Sequence, residues 1–142
     1  MKTRFSSLVT LKKSAMEKSE QVVQRANIDI NNAAIALQSA YDSLQDIYTP
    51  QTGNISELLA SRTLFSSQRM LIQERQKWLE FTKKQLEIAK EQLKLDMIEF
   101  EKFKYLELEE MKKIIKAQDI KDAKDLDEIA LMTFTRKLKL ES

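Results

Sequence analysis

Residues 26–44, ANIDINNAAIALQSAYDSL, repeat their apolar side chains every seven positions. Two rows run through this stretch, one of small and one of larger side chains: Ala26, Ala33 and Ala40, then Ile30, Leu37 and Leu44. The small row extends back to Phe5 and forward to Ile47, and the large row extends back to Val9. A seven-residue repeat held over this many heptads predicts a supercoiled helix whose seam faces a partner helix.

A second seven-residue repeat begins after the only proline and the only glycine of the chain, Pro50 and Gly53. Its positions are all large: Leu58, Phe65, Ile72, Leu79, Leu86, Leu93 and Phe100. The residue before a proline is disfavoured in a helix, and Asn54 with Glu57 three residues later resembles a capping box. The short connection therefore predicts one chain folded back on itself.

We predict an all-α fold, two long helices in an antiparallel coiled-coil hairpin that forms a single domain over residues 1–142. The expected bounds are about 4–48 for helix one, 49–54 for the turn and about 55–138 for helix two. If Ile47 faces Leu58, the register places Ala33 opposite Ile72 and Phe5 opposite Phe100. Small side chains then meet large ones, as a close-packed seam requires.

The same register leaves helix two without a partner after about residue 104. Some 35 residues, about 50 Å of helix, form this expected overhang. Their apolar side is broad, with Ile114, Leu126, Ile129 and Phe134 among its members. Because unpaired apolar surface usually marks a contact site, the overhang is the main functional clue in the sequence.

Composition excludes several classes of chemistry. The chain has no cysteine and no histidine, which removes disulfides, Cys/His zinc sites and imidazole catalysis. The paired carboxylates at 109–110 and 125–128 lie in charge-rich helix, so we interpret them as solvated charges and expect no catalytic site, cofactor or metal. No apolar run reaches 18 residues and no signal peptide is evident, so we expect a cytoplasmic protein.

Charge is distributed unevenly along the chain. Residues 1–25 carry six basic and two acidic side chains, whereas residues 26–61 carry four acidic ones and no Lys or Arg. The free ends are therefore basic and the turn is acidic, without the dense basic stripe of a nucleic-acid binder. We expect the aromatic side chains of helix two to pack in the core rather than stack on bases: Trp78, Phe81, Phe100, Phe103 and Tyr105.

Both ends of the chain carry a family resemblance. The opening Phe5-x-x-Leu8-x-x-Leu11-Lys12-Lys13, the longer second helix, and the closing Lys124-Asp125-Leu126-Asp127-Glu128-Ile129-Ala130 with Phe134 and Arg136 resemble the FliJ family. These are small coiled-coil proteins of the flagellar type III export apparatus. The resemblance implies a non-enzymatic stalk, similar to the two-helix coiled coil of the rotary ATPase gamma subunit.

The resemblance also implies partners. The free-ends region would bind the hexameric export ATPase, through Leu126, Asp127, Glu128, Ile129, Phe134 and Arg136. A patch near the turn, to which Tyr41, Tyr48 and Phe65 correspond, would bind the export gate membrane protein, so that the protein lies at the membrane only through protein partners. Export chaperones or cargo are further candidates, whereas nucleic acid and small molecules are not expected. The alternative is a structural coiled coil that dimerises through its overhang.

Overall fold

The computed structural model describes residues 2–47 and 53–141 of the 142-residue chain. Two helices, α1 (Ser6–Gln45) and α2 (Ile55–Glu141), pack together antiparallel. The predicted all-α class and the much longer second helix are confirmed. The helix ends differ by a few residues from the expected bounds, and most of the predicted turn lies outside the described residues.

Side-chain caps set where both helices begin. The Thr3 hydroxyl accepts a hydrogen bond from the Phe5 amide (3.1 Å), and the Ser6 hydroxyl accepts one from the Thr3 amide (2.8 Å). This reciprocal pair satisfies amides that have no partner within α1. At the start of α2, the Asn54 side chain accepts a hydrogen bond from the Glu57 amide (3.0 Å), as the capping-box interpretation requires.

The helices divide into two compact units, which we call the middle unit (Ser14–Met97) and the terminal unit (Met1–Lys13 with Ile98–Ser142). In the middle unit, the most buried positions of α1 are the predicted small row: Ser19, Ala26, Ala33 and Ala40. Those of α2 are Ser61, Ile72, Thr82 and Ala89. The buried faces therefore follow the heptad pattern, and the helices approach closely because most of these side chains are small.

The register of the helix pair differs from the predicted one. The Ser19 hydroxyl donates a hydrogen bond to the Asp96 carboxylate, whereas the predicted register placed Leu86, ten residues earlier, opposite Ser19. Nearer the turn, the Gln68 side-chain amide donates to the Ala40 carbonyl (2.7 Å). The contact on α2 thus lies ten residues later than predicted at Ser19 and three residues later at Ala40, so on average the prediction is wrong by about one heptad. A slip of seven residues keeps small side chains opposite large ones, so size matching alone cannot choose between the registers.

In the terminal unit, charged side chains hold the start of the chain against α2. Lys12 forms an ion pair with Glu99 (3.8 Å), and its ammonium lies 5.7 Å from the centre of the Phe103 ring. Arg4 pairs with Glu110 at 3.6 Å. Phe5 is half-buried but does not lie in the predicted register with Phe100, because the contact of Arg4 with Glu110 fixes a later part of α2 opposite it.

The last part of α2 is uncovered. Every residue from Lys112 to Glu141 is exposed, and we call this part the exposed segment. Partly buried positions continue to Met111, so the covered part of α2 ends about seven residues later than the expected 104. This agrees with the shift in register, since moving α1 by one heptad covers one more heptad of α2.

Candidate protein-interaction surfaces

The exposed segment is amphipathic. With about 100° between successive helical residues, Leu126, Ile129, Ala130 and Phe134 fall on one side of the helix. Each of these four side chains is exposed in the structure. Because a helix in water normally buries such a face, this exposed face is a candidate contact surface.

The predicted charged residues take different places around this face. Asp127 borders it beside Phe134, and Arg136 borders it beside Ile129, whereas Glu128 lies on the opposite side of the helix. An apolar centre with a charged rim is the usual composition of a protein-binding surface. The helix therefore places five of the six predicted overhang residues together and separates Glu128 from them.

The predicted residues nearer the turn lie in the middle unit. Tyr41 is exposed on α1, and Phe65 is half-buried on α2, where it lines a shallow depression together with Arg62 and Arg69. Tyr48 lies outside the described residues. Two guanidinium groups beside a half-buried ring form a surface that suits an acidic or aromatic partner group.

The prediction that the aromatic side chains of α2 pack in the core is partly wrong. Of the five aromatic residues expected in the core, Trp78, Phe81 and Tyr105 are exposed, whereas Phe100 and Phe103 are half-buried. Phe100 belongs to the predicted seam row, and Phe103 lies three residues later on the same face. Trp78 and Phe81 are each about half exposed and are not among the buried positions of α2, so sequence analysis missed an apolar surface. The signal for it was available, because a seven-residue repeat also links Phe81 to Ile88 and Leu95.

Neither a candidate metal site nor a candidate membrane span is found among the described residues. Within 2–47 and 53–141, no group of three or more acidic side chains could hold a metal ion. Neither helix, as far as it is described, has a stretch long and apolar enough to cross a membrane.

Comparison with protein families agrees with this architecture. The family model described as Flagellar FliJ protein matches residues 1–139, nearly the whole chain. The chain belongs to the FliJ family. Comparisons with curated proteins and with solved structures give no match. Membership of the FliJ family makes the protein a non-enzymatic component of flagellar protein export, built on a helical coiled coil.

Proposed function

We propose that this FliJ-family protein is an adaptor that binds the export ATPase ring through its exposed segment and couples the ring to the export gate. The observation that carries the proposal is the uncovered apolar face of the last thirty residues of α2, Lys112–Glu141. A face of this kind gains free energy when it enters a groove, because apolar surface leaves water.

The start of the chain adds charge to the same unit. Lys2, Arg4, Lys12 and Lys13 all belong to the terminal unit, and of these only Arg4 and Lys12 form ion pairs with α2. The basic start increases the rate of encounter with an acidic partner surface, while the apolar anchors limit dissociation. Both features support binding to a large partner rather than chemistry at a pocket.

Two leucines of equal exposure test the ATPase contact. Leu126 lies on the apolar face and Leu131 lies off it, and both are 66% exposed. We expect Leu126→Ala and Phe134→Ala each to weaken binding to the purified export ATPase about tenfold, because apolar anchors dominate such interfaces. Leu131→Ala is the matched control and should bind as the wild type does. Equal losses at Leu126 and Leu131 would contradict the proposed face.

Self-association through the exposed segment is the competing outcome. Sedimentation of the purified chain over a range of concentrations decides between the two. A monomer at all concentrations agrees with the adaptor. The other outcome is a dimer that the Leu126→Ala substitution dissociates without changing ATPase binding. That result would show that the exposed segment serves self-association instead.

The gate contact belongs to the middle unit in this proposal. Tyr41 and Phe65 are its described candidates, and Tyr48 is the third. Tyr41→Ala should leave helix content and melting unchanged, because the ring is exposed, yet weaken binding to the cytoplasmic part of the gate protein. The control is Gln38→Ala, at an exposed position one turn earlier on α1. Unchanged gate binding by both variants would remove Tyr41 from the proposal.

A further inference from the structure

The outer side of α2 in the middle unit carries a second apolar row. Trp78, Phe81, Ile88 and Leu95 are each about half or more exposed, and we call them the outer stripe. Leu64 and Leu71 precede Trp78 at seven-residue intervals. Leu71 is half-buried, but the four residues of the outer stripe are not among the buried positions of α2, which are Ser61, Ile72, Thr82 and Ala89.

The spacing of the outer stripe is that of a coiled-coil seam. Starting at Trp78, steps of three and four residues lead through Phe81, Gln85, Ile88 and Gln92 to Leu95. Alternating steps of three and four keep side chains on one face of a helix that packs along another helix. Since α2 already packs on α1 through its buried face, the spacing of the outer stripe is that required for packing along a further helix.

An aromatic pair forms the widest part of this seam. The rings of Trp78 and Phe81 stack, with their centres 5.5 Å apart and their planes inclined by 27°. Large aromatic side chains at a protein surface are the residue types that most often anchor an interface. The pair therefore marks where an incoming helix would bury the most area.

The charges beside the aromatic pair identify the chemistry of the partner. Among the positions three or four residues from either ring, one is acidic, Glu74, whereas three are basic. Lys77 and Lys84 lie one turn before and one turn after Phe81, and Arg75 lies three residues before Trp78. All three are exposed, and none forms an ion pair with a described residue. Positions that flank a coiled-coil seam select their partner by opposite charge, so this rim favours acidic residues.

We propose that the outer stripe docks an amphipathic helix of another protein, whose apolar heptad positions are flanked by Glu or Asp, to form a local three-helix coiled coil. This inference is independent of the proposed ATPase and gate contacts, because it uses other residues. The partner is defined by its heptads and its negative flanks. A second copy of this chain is the occupant that the experiment must separate from it.

Trp78 is the only tryptophan of the chain, so its fluorescence reports on the outer stripe alone. The probe is a synthetic peptide without tryptophan, four heptads long, with Leu at the seam positions and Glu at the flanking positions. At low ionic strength, we expect this peptide to shift the Trp78 emission to shorter wavelength as the ring leaves water. The same peptide with Lys at the flanking positions should bind at least tenfold more weakly.

Two sets of variants locate the binding. Ile88→Gln should weaken binding of the Glu peptide about tenfold, while Ile28→Gln, at a similarly exposed isoleucine of α1, should leave it unchanged (61% and 58% exposed). The double variant Lys77→Glu and Lys84→Glu should reverse the preference and favour the Lys peptide. All four positions are exposed, so the variants should fold, as circular dichroism will show.

Three results would overturn the proposal. Absence of any emission shift at saturating peptide would show that the outer stripe binds no acidic helix. Equal affinity for the Glu and Lys peptides would remove the charge argument. An emission shift that appears without peptide as the protein concentration rises would assign the outer stripe to a second copy of this chain.

Discussion

Two regions of the same helix, the part of α2 in the middle unit and the exposed segment, use similar side chains with opposite results. Both carry isoleucine and leucine at helical spacing between charged residues. In the middle unit Ile72 is buried against α1, whereas Ile129 and every other side chain of the exposed segment are uncovered. The apolar pattern of a helix thus determines which side will be covered, and the presence of a partner determines whether it is.

The covered region is stabilised by close approach more than by large buried side chains. Of the buried residues in the described chain, only Ile72 is large, and the others are Ala, Ser or Thr. Two helices cannot enclose a large side chain on all sides, so each seam residue keeps some exposure. The effect of burial on stability is therefore best measured at positions where the two regions carry the same residue type.

The largest expected effect comes from such a matched pair of isoleucines. Ile72→Ala should lower the free energy of unfolding by about 2 kcal/mol, because it removes buried methyl groups from a seam that cannot fully close over the gap. Ile129→Ala should change the same quantity by less than about 0.5 kcal/mol. Urea unfolding followed by circular dichroism measures both. Similar losses at the two sites would show that the exposed segment is covered in solution.

An effect of similar size is expected from adding volume to the seam. Ala33 is the most buried residue described, at 1% exposure, while its neighbour Ala34 is exposed. Ala33→Trp should lower the midpoint of thermal unfolding, at a cost of about 1–3 kcal/mol, because no space exists for the indole. Ala34→Trp is the matched control and should leave the midpoint nearly unchanged. An equal decrease for both variants would contradict the seam.

These positions show how much of the fold the sequence contains. Ala26, Ala33 and Ala40 could be assigned to the buried face in advance, because their seven-residue spacing and small size leave few alternatives. The register of α1 against α2 could not be assigned, because successive heptads carry similar residue types and a shift by one heptad preserves the pattern. Asp96 was the usable signal, because a carboxylate that faces the other helix needs a polar partner, and Ser19 is its counterpart on α1.

The candidate surfaces could be predicted in part. The exposed segment follows from the difference in helix lengths, which the sequence displays directly. The outer stripe was missed because Trp78 lies next to Leu79, and a large aromatic residue beside a seam position is easily assigned to the core. Only the second repeat through Phe81, Ile88 and Leu95 separates the two faces, and its apolar residues alternate with the polar Gln85 and Gln92.

The polar contact of the seam should contribute less than the apolar ones. In the middle unit Asp96 accepts hydrogen bonds from Ser19 and, at 3.1 Å, from the Gln92 side chain. A double-mutant cycle with Ser19→Ala and Asp96→Ala should give a coupling energy of about 1 kcal/mol, since the carboxylate is only partly buried. The control cycle pairs Ser19→Ala with Glu91→Ala, an exposed acid on α2, and should give no coupling. Coupling near zero in both cycles would show that Ser19 and Asp96 do not interact, which would contradict the observed register.

The smallest change in stability is expected from removing most of the exposed segment. Removal of residues 119–142 takes away Leu126, Ile129 and Phe134, but none of the ion pairs of Arg4 and Lys12 with α2. Because every described residue in this stretch is exposed, the free energy of unfolding of the remaining helix pair should change by less than about 0.5 kcal/mol. Total helix content should fall only by the residues removed. A loss of stability that depends on protein concentration would show that the exposed segment is covered by a second copy, whereas a loss independent of concentration would mean that it folds back on its own chain. Unchanged stability leaves the apolar face of this segment available to a partner, as the ATPase proposal requires.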